Sequence, residues 1–343
     1  MNGSAIDLFA GAGGATQGIR DAGLRVIGAV EFDSTAAKTY RLNHPETTLW
    51  ETDIRQLPAA EMMRVLKLNP RQLTLLKACP PCQGFSTLAE GRVSSDDPRN
   101  ELVRETVRFV RALRPLHVMI ENVPGLGRDS RSRELKLTLH GLGYAVRDYV
   151  VDARDFGVPQ RRRRYILLAT RGSRHPLPET LGDPDSPRAT VRSAFEEMAD
   201  EGVGDDPLMA VPRVSQIVQD RIEAVPVGGT RFDLPRELQL ECHRRLKSAR
   251  DAGGAYGRLR WDEAAPTMTT RCTTPSCGPF VHPDLNRPIT LREAATIQTF
   301  PPTYQFAGTR GLIERQIGNA VPVRMATQIV TTLIATSRDE VQV

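Results

Sequence analysis

An α/β fold is predicted, with a parallel sheet covered by helices on both faces. Three observations carry the prediction. Short apolar runs recur along the first half of the chain, segments with helical spacing separate them, and the first run ends in a glycine-rich turn. Ser4–Phe9 (SAIDLF) reads as a buried strand, and Gly14–Ala22 as the helix after it. Arg25–Glu31 (RVIGAVE) reads as a second strand and Ser34–Asn43 as a second helix. Leu73–Lys77 and His117–Ile120 are further short buried strands. Between them, Glu101–Leu113 places apolar residues at 102, 103, 107, 109, 110 and 113, which is helical periodicity. Tyr165–Thr170 (YILLAT) is a last apolar strand.

The alternation then fades. From about 171 to 290 the chain is rich in Pro, Gly and Arg, and PLPETLGDPDSP and AVPVGGTRFDLP read as loops and turns. A second, smaller domain is expected there. Helical character returns at Leu291, and Arg324–Ser337 reads as a terminal helix.

The 343 residues suffice for one large and one small domain. No apolar run reaches the length of a membrane span, and MNGSAIDLF lacks a signal-peptide layout, so a cytoplasmic location is expected. The net charge of +5 leans toward a polyanionic partner. Lysine occurs only at 38, 67, 77, 136 and 247, so nearly all positive charge is arginine. The arginine fork suits phosphate and guanine recognition, although GC-rich codon usage would give the same bias. Five cysteines, Cys79, Cys82, Cys242, Cys272 and Cys277, do not form a disulfide framework.

DLFAGAGG (Asp7–Gly14) sits where the first strand meets the first helix. Glycines there let a ligand approach the backbone and expose helix N-terminal amides; a tight turn without a ligand is the alternative. Glu31, ending the second strand, can accept the hydroxyls of a ribose. Asp53, in ETDIRQL, can accept from an adenine amino group, and Phe9 and Ile54 could sandwich the ring. These residues describe an adenosine site open to NAD or S-adenosylmethionine. Asp7 favours the latter, because a diphosphate would resist a nearby carboxylate.

ACPPCQGFS (Ala78–Ser86) follows an apolar strand. Its CxxC could be a redox dithiol or half a zinc site, but Cys272 and Cys277 have the wrong spacing for a second half. The remaining reading is one nucleophile, Cys82, in a proline-stiffened loop, reactive as the thiolate. HVMIENVPGL (His117–Leu126) ends a strand in Glu121, a candidate acid. QRRRRYILL (Gln160–Leu168) puts four arginines before a strand. Alternation would aim Arg162 and Arg164 to one face and Arg161 and Arg163 to the other.

With these pieces in this order, the chain resembles the bacterial DNA (cytosine-5)-methyltransferase family of Type II restriction-modification systems. DLFAGAGG resembles its first motif, PPCQGFS its nucleophile motif, ENVPGL its acid motif and Gln160-x-Arg162-x-Arg164 its basic motif. LREAATIQTFP (Leu291–Pro301) and QIGNAVP (Gln316–Pro322) resemble the ninth and tenth motifs. The likeness spans nearly the whole chain except roughly 175–255. Ala15-Thr16-Gln17 departs from the usual apolar continuation of the first motif.

The resemblance implies a Rossmann-like S-adenosylmethionine-dependent methyltransferase domain (1–200 with 305–343) and a smaller, mostly irregular or β target-recognition domain and hinge (201–304). It implies that Cys82 attacks C6 of a flipped-out cytosine in double-stranded DNA, with Glu121 at N3 and Arg162 and Arg164 holding the base and nearby backbone. The loop Gly84–Arg99 would close over the base. The implied cofactor residues are Asp7, Phe9, Ala10, Gly11, Gly13, Gly14, Glu31, Phe32, Asp53, Ile54, Pro80, Leu102, Asn319, Ala320 and Val321. The product would be S-adenosyl-L-homocysteine, and no metal is implied. A monomer is expected, as is association with a restriction or phage-defence system. In the smaller domain Arg231, Arg244, Arg245, Arg250, Arg258, Arg260 and Arg271 could meet phosphates or guanine edges, and Thr267, Thr269 and Thr270 the backbone or bases. A catalytically silent DNA-binding protein is the alternative from another class.

Overall fold

The computed structural model describes residues 3–81, 102–172, 177–202, 205–245 and 254–335. Two compact units emerge. The first comprises residues 1–156, 163–186 and 321–343, and the second residues 157–162 and 187–320.

The first unit is built on a seven-stranded sheet. Its strands are β1 (Ser4–Leu8), β2 (Arg25–Glu31), β3 (Thr48–Glu51), β4 (Leu75–Ala78), β5 (His117–Asn122), β6 (Tyr144–Asp152) and β7 (Arg163–Arg171). Its helices are α1 (Gly14–Asp21), α2 (Ser34–Asn43), α3 (Ala59–Leu66), α4 (Leu102–Leu113) and α5 (Ser130–Gly141), and later α11 (Val323–Ala335). The strand order is β3-β2-β1-β4-β5-β7-β6. Six strands point one way, and β7 alone runs against them, pairing antiparallel with both β5 and β6. This corrects the expectation of a wholly parallel sheet. Apolar runs mark strands but carry no direction, and β6 reaches β7 through a short connection that an antiparallel pair allows.

The elements form for local reasons. The central strands β4 and β5 are buried at every position, as strands covered on both faces should be. On α4, Val103, Thr106, Phe109, Val110 and Leu113 are buried at three- and four-residue spacing. Asp33 caps α2, accepting from the Thr35 and Ala36 amides at 2.9 and 3.0 Å.

The chain's last helix returns to its first. A Cβ at Gly18 on α1 would lie 2.6 Å from both the Ala326 Cβ and the Val323 carbonyl, so glycine lets α11 lie against α1.

The second unit holds α6 (Val191–Asp200), α7 (Gln216–Ala224), α8 (Glu241–Arg244), α9 (Leu291–Ile297) and α10 (Arg310–Asn319). Extended pairing there, among the described residues, is confined to isolated bridges such as Gln160 with Ala265 and Arg258 with Val281. Helices therefore carry more of it than the irregular or β character expected. Residues 187–200 and 305–320, expected with the catalytic part, pack in this unit. The Val191 amide donates to the Glu263 carbonyl at 2.9 Å, and Arg310 donates to Thr273 at 2.8 Å.

Gly18→Ala should lower the unfolding midpoint, with overpacking against backbone costing about 1–3 kcal/mol. Gly311→Ala, whose added methyl meets open space, should be neutral or slightly stabilising in the same urea titration. A second expectation concerns pH. His44 and His117 are fully buried, and burial lowers both to about 4, with Arg20 adding to the shift at His44. The unfolded chain takes up these protons first, so stability is full above about 6.5 and falls as pH drops toward 4. At pH 5 the loss should be roughly 2 kcal/mol per histidine. A His44→Gln, His117→Gln double variant should show a flatter pH profile in chemical denaturation.

Candidate active site

The sheet reverses its winding between β1 and β4. From β1 the order runs outward to β2 and β3, and from β4 to β5. Ligands bind at the carboxyl ends of strands at such a switch point. Four strand ends here carry residues expected from the sequence.

After β1, the turn Phe9–Gly13 adopts left-handed backbone at alternate positions: φ is 59° at Phe9, 57° at Gly11 and 92° at Gly13. Phe9 is the unusual one, since a bulky side chain seldom adopts this region. A Cβ at Gly11 would meet nothing within 4 Å, so open space lies over the loop. Gly13 precedes α1 without supplying a capping side chain, and no acid occupies the helix's first turn.

Glu31 organises the next strand end. Its Oε2 accepts the Gly11 amide and its Oε1 the Asp33 amide, both at 2.7 Å. Burial pushes its pKa up, while those amides pull it down. Each carboxylate oxygen can accept a second hydrogen bond, which suits a diol. Asp53, just past β3, accepts the Arg55 amide at 2.9 Å. The Arg55 side chain holds its pKa below the usual carboxylate range. Phe32 is 74% exposed, whereas Ile54 is 2% exposed within the main core cluster. Of the rings at this edge, Phe32 is the most exposed, and Phe9 is partly buried against the core.

Asp7 is not at the surface. It is fully buried, with Oδ1 2.7 Å from the Lys77 ammonium and Oδ2 accepting from Thr16 at 2.7 Å. Thr16 Oγ1 also lies 3.0 Å from the Tyr40 hydroxyl. Asp7 thus supports the glycine loop from beneath and presents no carboxylate to a ligand. Thr16, the departure from the family pattern, is what makes this link.

After β4 come Cys79, Pro80 and Pro81. Cys82, the Gly84–Arg99 loop and Arg250 lie outside the described residues. Burial pushes the Cys79 thiol well up, although the Lys77 ammonium opposes this. Cys79 packs with Ala15, Val321 and Ala326, so the start of the last segment lies against the first helix and the end of β4. Asn122, at the end of β5 and 4% exposed, donates to the Pro80 carbonyl at 3.1 Å. Next to it, Glu121 is 2.8 Å from Arg164 Nε. The strand carrying the acid thereby holds the backbone leading to Cys82. Leu102, at the start of α4, is partly buried against the core.

Within the second unit, Arg162 is 2% exposed, and its guanidinium donates to the carbonyls of Met268, Gly318 and Ala320. It does not offer the exposed fork expected of a DNA contact. Asn319 is exposed and Ala320 partly buried.

Several expected DNA contacts are internal. Arg258 is buried and donates to the carbonyls of Val225, Ile222 and Leu285 at 2.9, 3.0 and 3.1 Å. Arg231 is buried, its guanidinium 4.3 Å from the Phe232 ring centroid. Arg244 and Arg245 pair with Glu241, and Arg260 with Glu263. Thr267 donates to the Arg161 carbonyl at 2.7 Å. Thr270 and Arg271 are exposed. Asn122, Lys77 and Gln298 escaped the sequence reading. The signals were a lone lysine within an apolar strand and amides inside two of the motifs. Among the described residues no group of three potential metal ligands occurs, and no helix is long and apolar enough to cross a membrane.

The sequence model of the C-5 cytosine-specific DNA methylase family matches residues 3–335. The chain is 35% identical to Type II methylase M.HgiDII of Herpetosiphon aurantiacus, over 97% of this chain and 95% of that protein. It is 34% identical to Type II methyltransferase M.Eco47II of Escherichia coli, over 94% of this chain and 76% of that one. Among solved structures, a DNA modification methyltransferase encoded within an E. coli prophage superposes with a TM-score of 0.77 at 25% identity, covering 98% of this chain and 99% of that one. Schizosaccharomyces pombe Dnmt2, at 17% identity and a TM-score of 0.61, shares the fold over 98% of this chain and 99% of that one. The chain therefore belongs to the C-5 cytosine-specific DNA methylase family and is a DNA (cytosine-5-)-methyltransferase.

Proposed function

We propose that the chain methylates C5 of a cytosine flipped out of a specific double-stranded DNA sequence, through a covalent bond between Cys82 and C6. The observation that carries this reading is the pairing of two strand ends. Asn122 holds the Pro80 carbonyl while its neighbour Glu121 is braced by Arg164. A nucleophile two residues beyond Pro80 and an acid at Glu121 would then act on one ring.

Inside a duplex the ring is unreachable, so the base must leave the stack. The Cys82 thiolate adds to C6, and Glu121 holds a proton at N3 as electron density builds on the ring. Arg164 keeps the Glu121 carboxyl in one orientation. The addition turns C5 into an enamine carbon, a far better nucleophile than C5 of cytosine itself. S-adenosylmethionine, when bound, supplies the electrophilic methyl group that C5 takes, leaving S-adenosylhomocysteine. A base then removes the C5 proton, the electron pair re-forms the C5–C6 double bond, and Cys82 departs.

The donor set at the strand ends fits this cofactor. Glu31 retains acceptor capacity for ribose hydroxyls, Asp53 stands at the adjacent strand end, and Phe32 offers a flat face. Open space above Gly11 admits close approach to the loop. Target reading is assigned to the second unit. The chain works as a monomer in the cytoplasm. It accompanies a restriction or phage-defence system, and the Type II names of its relatives support that part of the reading.

Duplex DNA carrying 5-fluorocytosine at the target should trap a covalent adduct, because fluorine cannot leave as a proton. Cys82→Ser should abolish both the adduct and transfer of label from S-adenosylmethionine. An adduct that persists in Cys82→Ser would identify a different nucleophile. No label transfer to any DNA by the unaltered protein would instead favour a silent DNA-binding protein. Cys79→Ser, at a thiol held neutral, should retain activity within about threefold, roughly 0.7 kcal/mol in the barrier.

A further inference from the structure

Arg162 lies at the centre of a polar cluster wholly inside the second unit. Its Nη1 donates to the Met268 carbonyl at 3.0 Å, and its Nη2 to the carbonyls of Gly318 and Ala320 at 2.9 and 3.1 Å. Gln160 and Gln298, both fully buried, complete the cluster. Gln160 accepts the Met268 amide at 2.9 Å and donates to Gln298 Oε1 at 2.8 Å. Gln298 in turn donates to the Ile317 carbonyl. Met268 is thus gripped at both ends of its backbone, the amide by Gln160 and the carbonyl by Arg162.

The gripped segments also touch closely. A Cβ at Gly318 would overlap the Thr269 carbonyl and lie 2.6 Å from the Thr270 amide. Only glycine permits this approach. Beyond the clamp, Thr270 and Arg271 are exposed, and the Arg271 guanidinium has no ion pair among the described residues.

We propose that Arg162 is a positioning residue and not a DNA contact: with Gln160 and Gln298 it clamps Pro266–Arg271 onto the Ile317–Ala320 turn and so presents Arg271 to a DNA phosphate. Three carbonyls spread around one side chain need a planar fork, which an ammonium cannot supply. At 2% exposure, Arg162 could reach a phosphate only if this cluster opened. The inference rests on the proposed target-reading role of the second unit.

The test uses the full chain and a duplex taken from DNA that the unaltered protein methylates. DNA affinity is measured across a salt series, and steady-state kinetics at a temperature where circular dichroism matches the unaltered protein. Arg162→Met and Arg162→Lys should each raise KM for DNA by about tenfold and should each lower the slope of log Kd against log salt as Arg271→Ala does, because the displaced Arg271 loses its phosphate. Arg271→Ala should reduce that slope by about 0.9, the signature of one lost phosphate contact. A change in KM at equal folded fraction separates positioning from simple loss of stability. A reduced slope in Arg162→Met with near-normal behaviour in Arg162→Lys would overturn the proposal, as would an unchanged KM in both. Should Arg162→Met fail to fold, Gln160→Ala, Gln298→Ala and their double variant decide the matter. A clamp acting as a unit predicts that the double variant is little worse than either single one, and additive effects would overturn it. Absence of methyl transfer by the unaltered protein would strike the proposed function instead, so the two failures are distinguishable.

Discussion

A single buried ion pair underlies the catalytic edge of the sheet. Asp7 on β1 and Lys77 on β4 are register partners in adjacent parallel strands, 0% and 1% exposed, with 2.7 Å between their charged atoms. These are the two strands between which the sheet reverses its winding. Beyond Asp7 the chain enters the glycine loop, and beyond Lys77 it enters the segment leading to Cys82. The pair therefore ties together, from beneath, the two segments that carry the proposed cofactor loop and the proposed nucleophile. A buried pair is costly to desolvate, and removing one partner typically costs 3–5 kcal/mol because the other charge is stranded. Here Asp7's second oxygen is satisfied by Thr16, and Thr16 is in turn close to Tyr40 on α2. Burial alone would lower the Lys77 pKa, but the Asp7 carboxylate beside it outweighs that and keeps the ammonium charged.

That constraint shapes what lies above it. With β1 fixed, the turn after it must redirect the chain within a few residues, and it does so through left-handed backbone at Phe9, Gly11 and Gly13. Glu31 then locks the turn by accepting the Gly11 amide, and the same carboxylate orders the start of α2 by accepting the Asp33 amide. A residue expected only to bind a ligand is also the brace of the loop that would receive it. On the far side, the small side chains of Ala15 and Ala326 let Val321 reach Cys79, so the last segment is seated on the same pair of strands. The high pKa of Cys79 follows from this packing. Burial denies it the thiolate form, in keeping with the proposal that Cys82 is the nucleophile.

Much of this was legible in the sequence, within limits set by what a pattern can encode. Ser34–Asn43 and Arg25–Glu31 form with the expected bounds, because an apolar run marks the strand and the capping Asp33 marks the start of the helix. Periodicity reports burial and spacing but not strand direction, so the antiparallel β7 was invisible. The helix Val191–Asp200 did carry a signal, a capping box of Thr190 and Ser193, but the Pro- and Gly-rich surroundings masked it. The strand-end acids Glu31, Asp53 and Glu121 were readable because their positions follow from the strands themselves. Asp7 was misread as facing a ligand, since nothing local shows that a lysine seventy residues later would lie in register with it.

The arginines mark the deeper limit. A chain with few lysines invites the reading that its guanidiniums face DNA, yet Arg162, Arg231 and Arg258 are buried. Arg162 and Arg258 serve as hubs for main-chain carbonyls that no secondary structure satisfies. A unit built of short helices and irregular turns generates many such carbonyls, each costly to bury unpaired. One guanidinium carries five donors in a plane and can satisfy several of them at once. The same fork that reads phosphate therefore also stabilises a domain with little sheet, and composition cannot separate the two uses. What separates them is whether the surrounding chain leaves its carbonyls free, a property of the folded backbone. Arg162 and Arg164, two residues apart in one motif, illustrate it: the first is enclosed by carbonyls, while the second reaches the Glu121 carboxylate.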